Sequence, residues 1–182
     1  MKYKIDVLNK LRDSDNWPAF DRPDFLEKLN DVADDAFTQK TIEGYLAALL
    51  IYHQLCEEMM KVLIQCSSFL IQCSVFPHEI KSKKINRLMF GQIINELEQG
   101  VLDTYTKQFI EKSKKLNSIR IKMVHKLTDK PSLNSIERQI KPAKKLFDEL
   151  YKLFDDIYDD YRVAFSHYKK NIEELEELVD EE

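Results

Sequence analysis

Between Ile136 and Tyr168 the apolar residues recur in alternating steps of four and three: Ile136, Ile140, Ala143, Phe147, Leu150, Phe154, Ile157, Tyr161, Ala164 and Tyr168. A helix gathers such positions into one stripe, and a stripe of more than four heptads is a packing seam that requires partner helices. Pro142 falls inside the seam, so a kink there or a helix start just before it is expected. Periodicity elsewhere is helical too, and no stretch alternates with the period of two that marks a strand. The chain is predicted to be all-α: an up-and-down bundle of four core helices plus an N-terminal helical extension.

The expected helices follow in order. An amphipathic segment over residues 2–13 ends before a loop holding Asp15, Asn16, Pro18 and Pro23. A second helix takes Asp24 as N-cap and sets Phe25, Leu29, Val32, Ala33 and Phe37 along one face. The third, residues 41–76, is apolar on much of its circumference, as a central bundle helix should be, and Pro77 stops it. A shorter helix over 85–98 is expected to end at Gly100 as a left-handed cap. The next begins near Asp103, turns Phe109, Leu116, Ile119 and Met123 inward, and runs out near Leu127 before Asp129 and Pro131. Residues 1–40 are read as an extension packed on the core, 41–170 as the bundle, and 171–182, with seven acidic residues, as a solvated acidic tail.

Three glycines in 182 residues, Gly44, Gly91 and Gly100, cannot build a dinucleotide-binding turn or a phosphate-cradling loop, which excludes Rossmann and Walker-type nucleotide chemistry. Cys56, Cys66 and Cys73 are odd in number and share one helical stretch, which points to buried thiols in a reducing compartment. The N-terminal residues lack the apolar core of a secretion signal, and the longest uncharged run, residues 62–76, is too short and polar to span a bilayer. A cytoplasmic protein with no membrane partner is expected. No metal site is indicated: His53 and Glu57, four apart, read as a polar pair within a helix, with no further ligands suggested. No cofactor is implied.

The net charge of −4 conceals a division. Residues 80–130 carry 12 Lys and Arg against 5 Asp and Glu, while the remainder carries 16 against 27. A basic helix on an acidic body is the footprint of phosphate binding or of an acidic partner; it is equally what a basic helix packed beside an acidic one looks like. Lys114, Lys115, Lys122 and Lys126 are the candidate RNA-binding lysines.

Within that helix, Leu116-Asn117-Ser118-Ile119-Arg120 is followed after four residues by His125, then Lys126-Leu127. The arrangement resembles the Arg-x4-6-His signature of HEPN domains, an all-α superfamily. The likeness extends to Phe90-Gly91-Gln92-Ile93-Ile94-Asn95-Glu96-Leu97-Glu98, which looks like the helix start of several bacterial HEPN-like families, and to His53-Gln54-Leu55-Cys56-Glu57-Glu58, similar to their core helix. The resemblance covers roughly residues 41–165. It implies a homodimer in which two motifs face one cleft, and metal-independent RNA cleavage leaving a 2′,3′-cyclic phosphate, as in toxin or antiviral-defence ribonucleases with a cognate antitoxin or regulatory protein. Arg120 and His125 would then be catalytic, with Asn117 and Glu57 supporting. Directly after the Arg, where active members usually carry Asn, Asp or His, this chain has Ile121. The resemblance therefore implies either a nuclease or a non-catalytic dimeric module that engages a protein partner.

The residue types suit that chemistry. Imidazole gives and takes protons near neutrality, and guanidinium holds two phosphate oxygens in a fixed fork. Helix geometry adds a condition: five residues advance about 500°, so Arg120 and His125 diverge by about 140° and stand about 7.5 Å apart along the axis. Either the helix ends before His125 and turns it back, or Arg120 of one chain works with His125 of another. The structural alternatives are an ion pair of Arg120 with Glu57 or Glu58, a helix cap for His125, and a local hydrogen bond for Asn117.

Overall fold

The computed structural model describes residues 2–80, 85, 87–100, 102–129 and 132–180. They form seven helices and no strand among the described residues: α1 (Lys2–Arg12), a 3₁₀ turn (Ser14–Asn16), α2 (Pro23–Thr38), α3 (Ile42–Ser74), α4 (Phe90–Leu97), α5 (Thr104–His125), α6 (Leu133–Lys170) and α7 (Ile172–Asp180). The protein is an all-α bundle. No helix among the described residues is long and apolar enough to cross a membrane.

α3 is the axis of the fold, with α2, α4, α5 and α6 packed around it. Its many buried positions, from Tyr45 through Leu49, Tyr52, Met59, Met60 and Leu63 to Phe69 and Cys73, follow from a sequence apolar nearly all round. Thr41 caps it, its hydroxyl accepting the Gly44 N–H at 3.0 Å. Gly44 is needed sterically: a Cβ there would fall 2.3 Å from the Ala36 carbonyl oxygen at the end of α2. The seam of α6 buries Ile136, Ile140, Ala143, Phe147, Leu150, Phe154, Ile157 and Tyr161; at its end Phe165 goes under while Ala164 and Tyr168 are half-buried. Polar bonds tie the layers together. The Tyr52 hydroxyl donates to Asp34 of α2 at 2.6 Å, and Lys144 of α6 reaches the same carboxylate at 2.9 Å.

Several expectations need correction. α2 begins at Pro23, with Arg22 rather than Asp24 in the cap position, because proline suits the first helical turn where its missing N–H is not needed. Its inward stripe runs through Ala33 and Ala36, with Leu26, Leu29 and Phe37 beside them, which leaves Phe25 and Val32 at the edge, 46% and 52% exposed. α4 starts at Phe90 instead of 85, where the Gln92 side chain turns back to accept the Met89 N–H at 2.8 Å. Gly100 is not left-handed; its smallness matters because the Ser67 hydroxyl oxygen lies 2.7 Å from where a Cβ would stand. α6 starts at Leu133, capped by Ser132, so Pro142 lies well inside the helix rather than just after its start. The acidic segment after Asn171 is not a frayed end: it is helix α7, with Ile172, Leu175 and Val179 packed on the core against α1 and Glu176 paired to Arg12 at 2.7 Å. Asn86 of the expected fourth helix, Lys130 and Pro131 of the loop after α5, and Glu181 and Glu182 of the expected tail lie outside the described residues.

The three cysteines are free and buried. Burial pushes the Cys56, Cys66 and Cys73 thiols up to about 12. Trp17 is a core residue whose indole donates to the Leu11 carbonyl at 3.3 Å and meets Phe165 edge-on.

Candidate functional site

α5 carries the motif. Asp103 caps it by accepting the Thr106 N–H at 2.6 Å, and Phe109, Ile110, Leu116 and Met123 bury its inner face, with Ile119 half-buried. That inner stripe fixes the rotation of the helix. Asn117 and Arg120 lie at its edge, half-buried, while Ile121, Val124 and His125 face outward.

The helix remains regular through His125, its last residue, so the chain does not turn His125 back toward Arg120. In one chain the two side chains diverge as helix geometry requires. His125 is exposed beside Ile121 and Val124, which are 42% and 44% exposed.

Arg120 keeps different company. Across from it on α3 stands His53, whose Nε2 lies 3.1 Å from Asn117 Oδ1 and whose ring stacks on Phe90 of α4 with centroids 4.1 Å apart. Burial holds the His53 ring below its ordinary value, and the positive charge of Arg120 adds to that; the Asn117 bond and Glu57 pull the other way. Neither Glu57 nor Glu58 forms an ion pair with Arg120, because both carboxylates hold Lys61, at 2.9 and 2.8 Å. Arg120 makes no ion pair among the described residues, and its Nε is buried without a hydrogen-bond partner. Such an orphan donor costs about 1–3 kcal/mol, which a partner reaching the Nε would relieve.

The structure thus brings Asn117, Glu57 and Arg120 into one neighbourhood and leaves His125 outside it. Sequence reasoning passed over His53 as a site residue. Its partner lies 64 positions away, and nothing in a helical spacing announces a contact between helices. The only available signal was that His53 and Phe90 both fall in segments where the family likeness is carried.

The basic residues divide. Lys112 pairs with Glu149 of α6, as side-by-side packing of a basic and an acidic helix would have it, and Lys114 pairs with Glu98, just past the end of α4, at 2.6 Å. Lys115, Lys122 and Lys126 are exposed and form no ion pair among the described residues, although Lys115 lies within the field of Glu149. Exposed pairs are worth at most about 1 kcal/mol, so Lys114 can exchange Glu98 for a phosphate. The described residues hold no cluster of His, Cys, Asp and Glu fit to bind a metal ion. Comparison with protein-family models, with curated proteins and with solved structures finds no match, so the reading of this site stands on its own residues.

Proposed function

We propose that the chain is a HEPN-like, metal-independent endoribonuclease of the toxin or antiviral-defence type, acting in the cytoplasm as an up-and-down bundle that forms homodimers. Arg120 of one copy and His125 of the other would converge on one RNA phosphodiester. The observation that best supports this is the regularity of α5 through His125, which parts the pair within one chain and leaves His125 outward beside the exposed apolar Ile121 and Val124. A second copy seated on those two residues would bring an imidazole toward a guanidinium that has no ion-pair partner among the described residues. The ribose 2′-hydroxyl then loses its proton and attacks phosphorus, the bond to the 5′-oxygen breaks, and that oxygen gains a proton. His125 serves the proton transfers and Arg120 the charge building on phosphate. Lys114, Lys115, Lys122 and Lys126 hold neighbouring phosphates.

The second reading is a non-catalytic dimeric module that engages a protein partner. Ile121 favours it, since an exposed apolar residue beside the motif Arg serves a protein contact better than a phosphate. Incubation with mixed RNA separates the two. The nuclease reading expects products ending in 2′,3′-cyclic phosphate, lost in both Arg120→Ala and His125→Ala. Intact RNA under all conditions leaves the binding module, with a cognate antitoxin or regulatory protein as its partner.

A further inference from the structure

We propose that His53, Asn117 and Arg120 of a single chain form a half-site for a phosphate ester, in which His53 takes up a proton as the anion arrives. The proposal rests on the ribonuclease reading only for the source of the phosphate; the half-site itself is argued from its own groups.

Three features point to it. First, the Arg120 Nε has no hydrogen-bond partner and no carboxylate among the described residues pairs with the guanidinium, Glu57 and Glu58 of α3 being held by Lys61. A side-chain rotation that turns the Nε edge toward solvent relieves the orphan donor and offers a two-pronged fork to phosphate. Second, Asn117 holds His53 through Nε2, so Nδ1 is the nitrogen left to gain a proton and become a donor. Third, Phe90 fixes the plane of the ring, which therefore needs no reorganisation when it charges.

The charges around His53 decide the direction. Glu57 on its own helix is engaged by Lys61, α5 presents the positive Arg120, and α4 presents the uncharged Phe90 ring. Burial and Arg120 together keep the ring neutral at rest. A phosphate seated on Arg120 reverses that local sign, and the imidazolium then adds a second charged donor. Binding is thereby linked to proton uptake and must tighten as pH falls.

The test uses the full-length protein and a short 2′-deoxy oligonucleotide, which cannot be cleaved, with inorganic phosphate in a parallel arm. Ring NMR of the wild-type protein should show the His53 titration moving to higher pH when the oligonucleotide is added. Affinity should be roughly five- to tenfold tighter at pH 5.5 than at pH 7.5. His167→Ala, on α6 and outside the site, should keep that ratio and His53→Gln should lose it, while Arg120→Ala weakens binding at least tenfold. A response to inorganic phosphate equal to that of the oligonucleotide assigns the site to free phosphate and refutes the nucleic-acid source. A His53 ring whose titration ignores both ligands, or binding unchanged in Arg120→Ala, overturns the half-site. Absence of RNA cleavage with these responses intact removes only the nuclease reading.

Discussion

At Gly44 the backbones of α2 and α3 come so close that one methyl group decides the packing. The clash of its missing Cβ is with a carbonyl oxygen, which cannot swing aside like a side-chain tip. Gly44→Ala is therefore expected to destabilise the fold by about 2 kcal/mol or more. Gly91, with nothing within 4 Å of its own Cβ position, should gain roughly 0.5–1 kcal/mol as alanine, simply from helix propensity. Urea unfolding of the two variants reads the contrast directly. A second residue-scale expectation concerns pH. His53 is held below its unfolded value of 6.5, so the native state binds fewer protons than the unfolded one. Its contribution is complete above that value and is lost as pH falls through the lower native one. Unfolding midpoints at about pH 7 and pH 5 should differ by less in His53→Gln than in the parent. Sequence gave access to the type and spacing of Arg120, His125 and Asn117. It gave none to His53 as their neighbour, because that contact is created by how α3 and α5 are rotated about their axes, and the rotation is set by burial of Leu116, Met123 and Cys56 together.

Among elements, the polar clasp between α2, α3 and α6 is the clearest case of order that no periodicity reveals. Tyr52 is fully buried, and its hydroxyl depends on Asp34, 18 residues earlier, which Lys144 of α6 also engages. Removing the acceptor strands the phenol, so Asp34→Ala should cost about 1–3 kcal/mol. Tyr52→Phe takes away the donor and leaves Asp34 with its lysine, at a cost below about 1 kcal/mol. Thermal melts that rank these two the other way would refute the account. The apolar seams of α3, α5 and α6 were legible because deep burial leaves a period of 3.6 in the residues themselves. The start of α4 and the docking of α7 were not. One hangs on a side chain folding back on its own backbone, and the other on three apolar residues, Ile172, Leu175 and Val179, which keep the helical steps of three and four but in a run of nine helical residues too short to tell a docked helix from a solvated acidic one.

For the whole molecule, the uneven charge resolves into two uses of lysine. Lys112 and Lys114 stitch α5 to its neighbours, while Lys115, Lys122 and Lys126 remain outward on the side that carries His125 or its immediate surroundings. The proposed dimer makes a distinct demand on that side. Ile121→Asp should leave the fold intact by circular dichroism, shift sedimentation from dimer to monomer, and abolish cleavage along with it. A dimer that persists in this variant places the contact elsewhere. The division of charge could be counted in the sequence; which lysines were already spoken for could not, since Glu98 lies at the end of α4 and Glu149 on α6, both distant in the chain from their partners. Finally, the burial of all three cysteines has a practical corollary. With their sulfurs almost wholly protonated at neutral pH and shut away from reagents, maleimide chemistry should pass over the native chain. A lone cysteine introduced at Val163, 70% exposed on α6, would then accept a single spin or fluorescent label per copy, giving a ruler for how two copies sit together without altering any native sulfur.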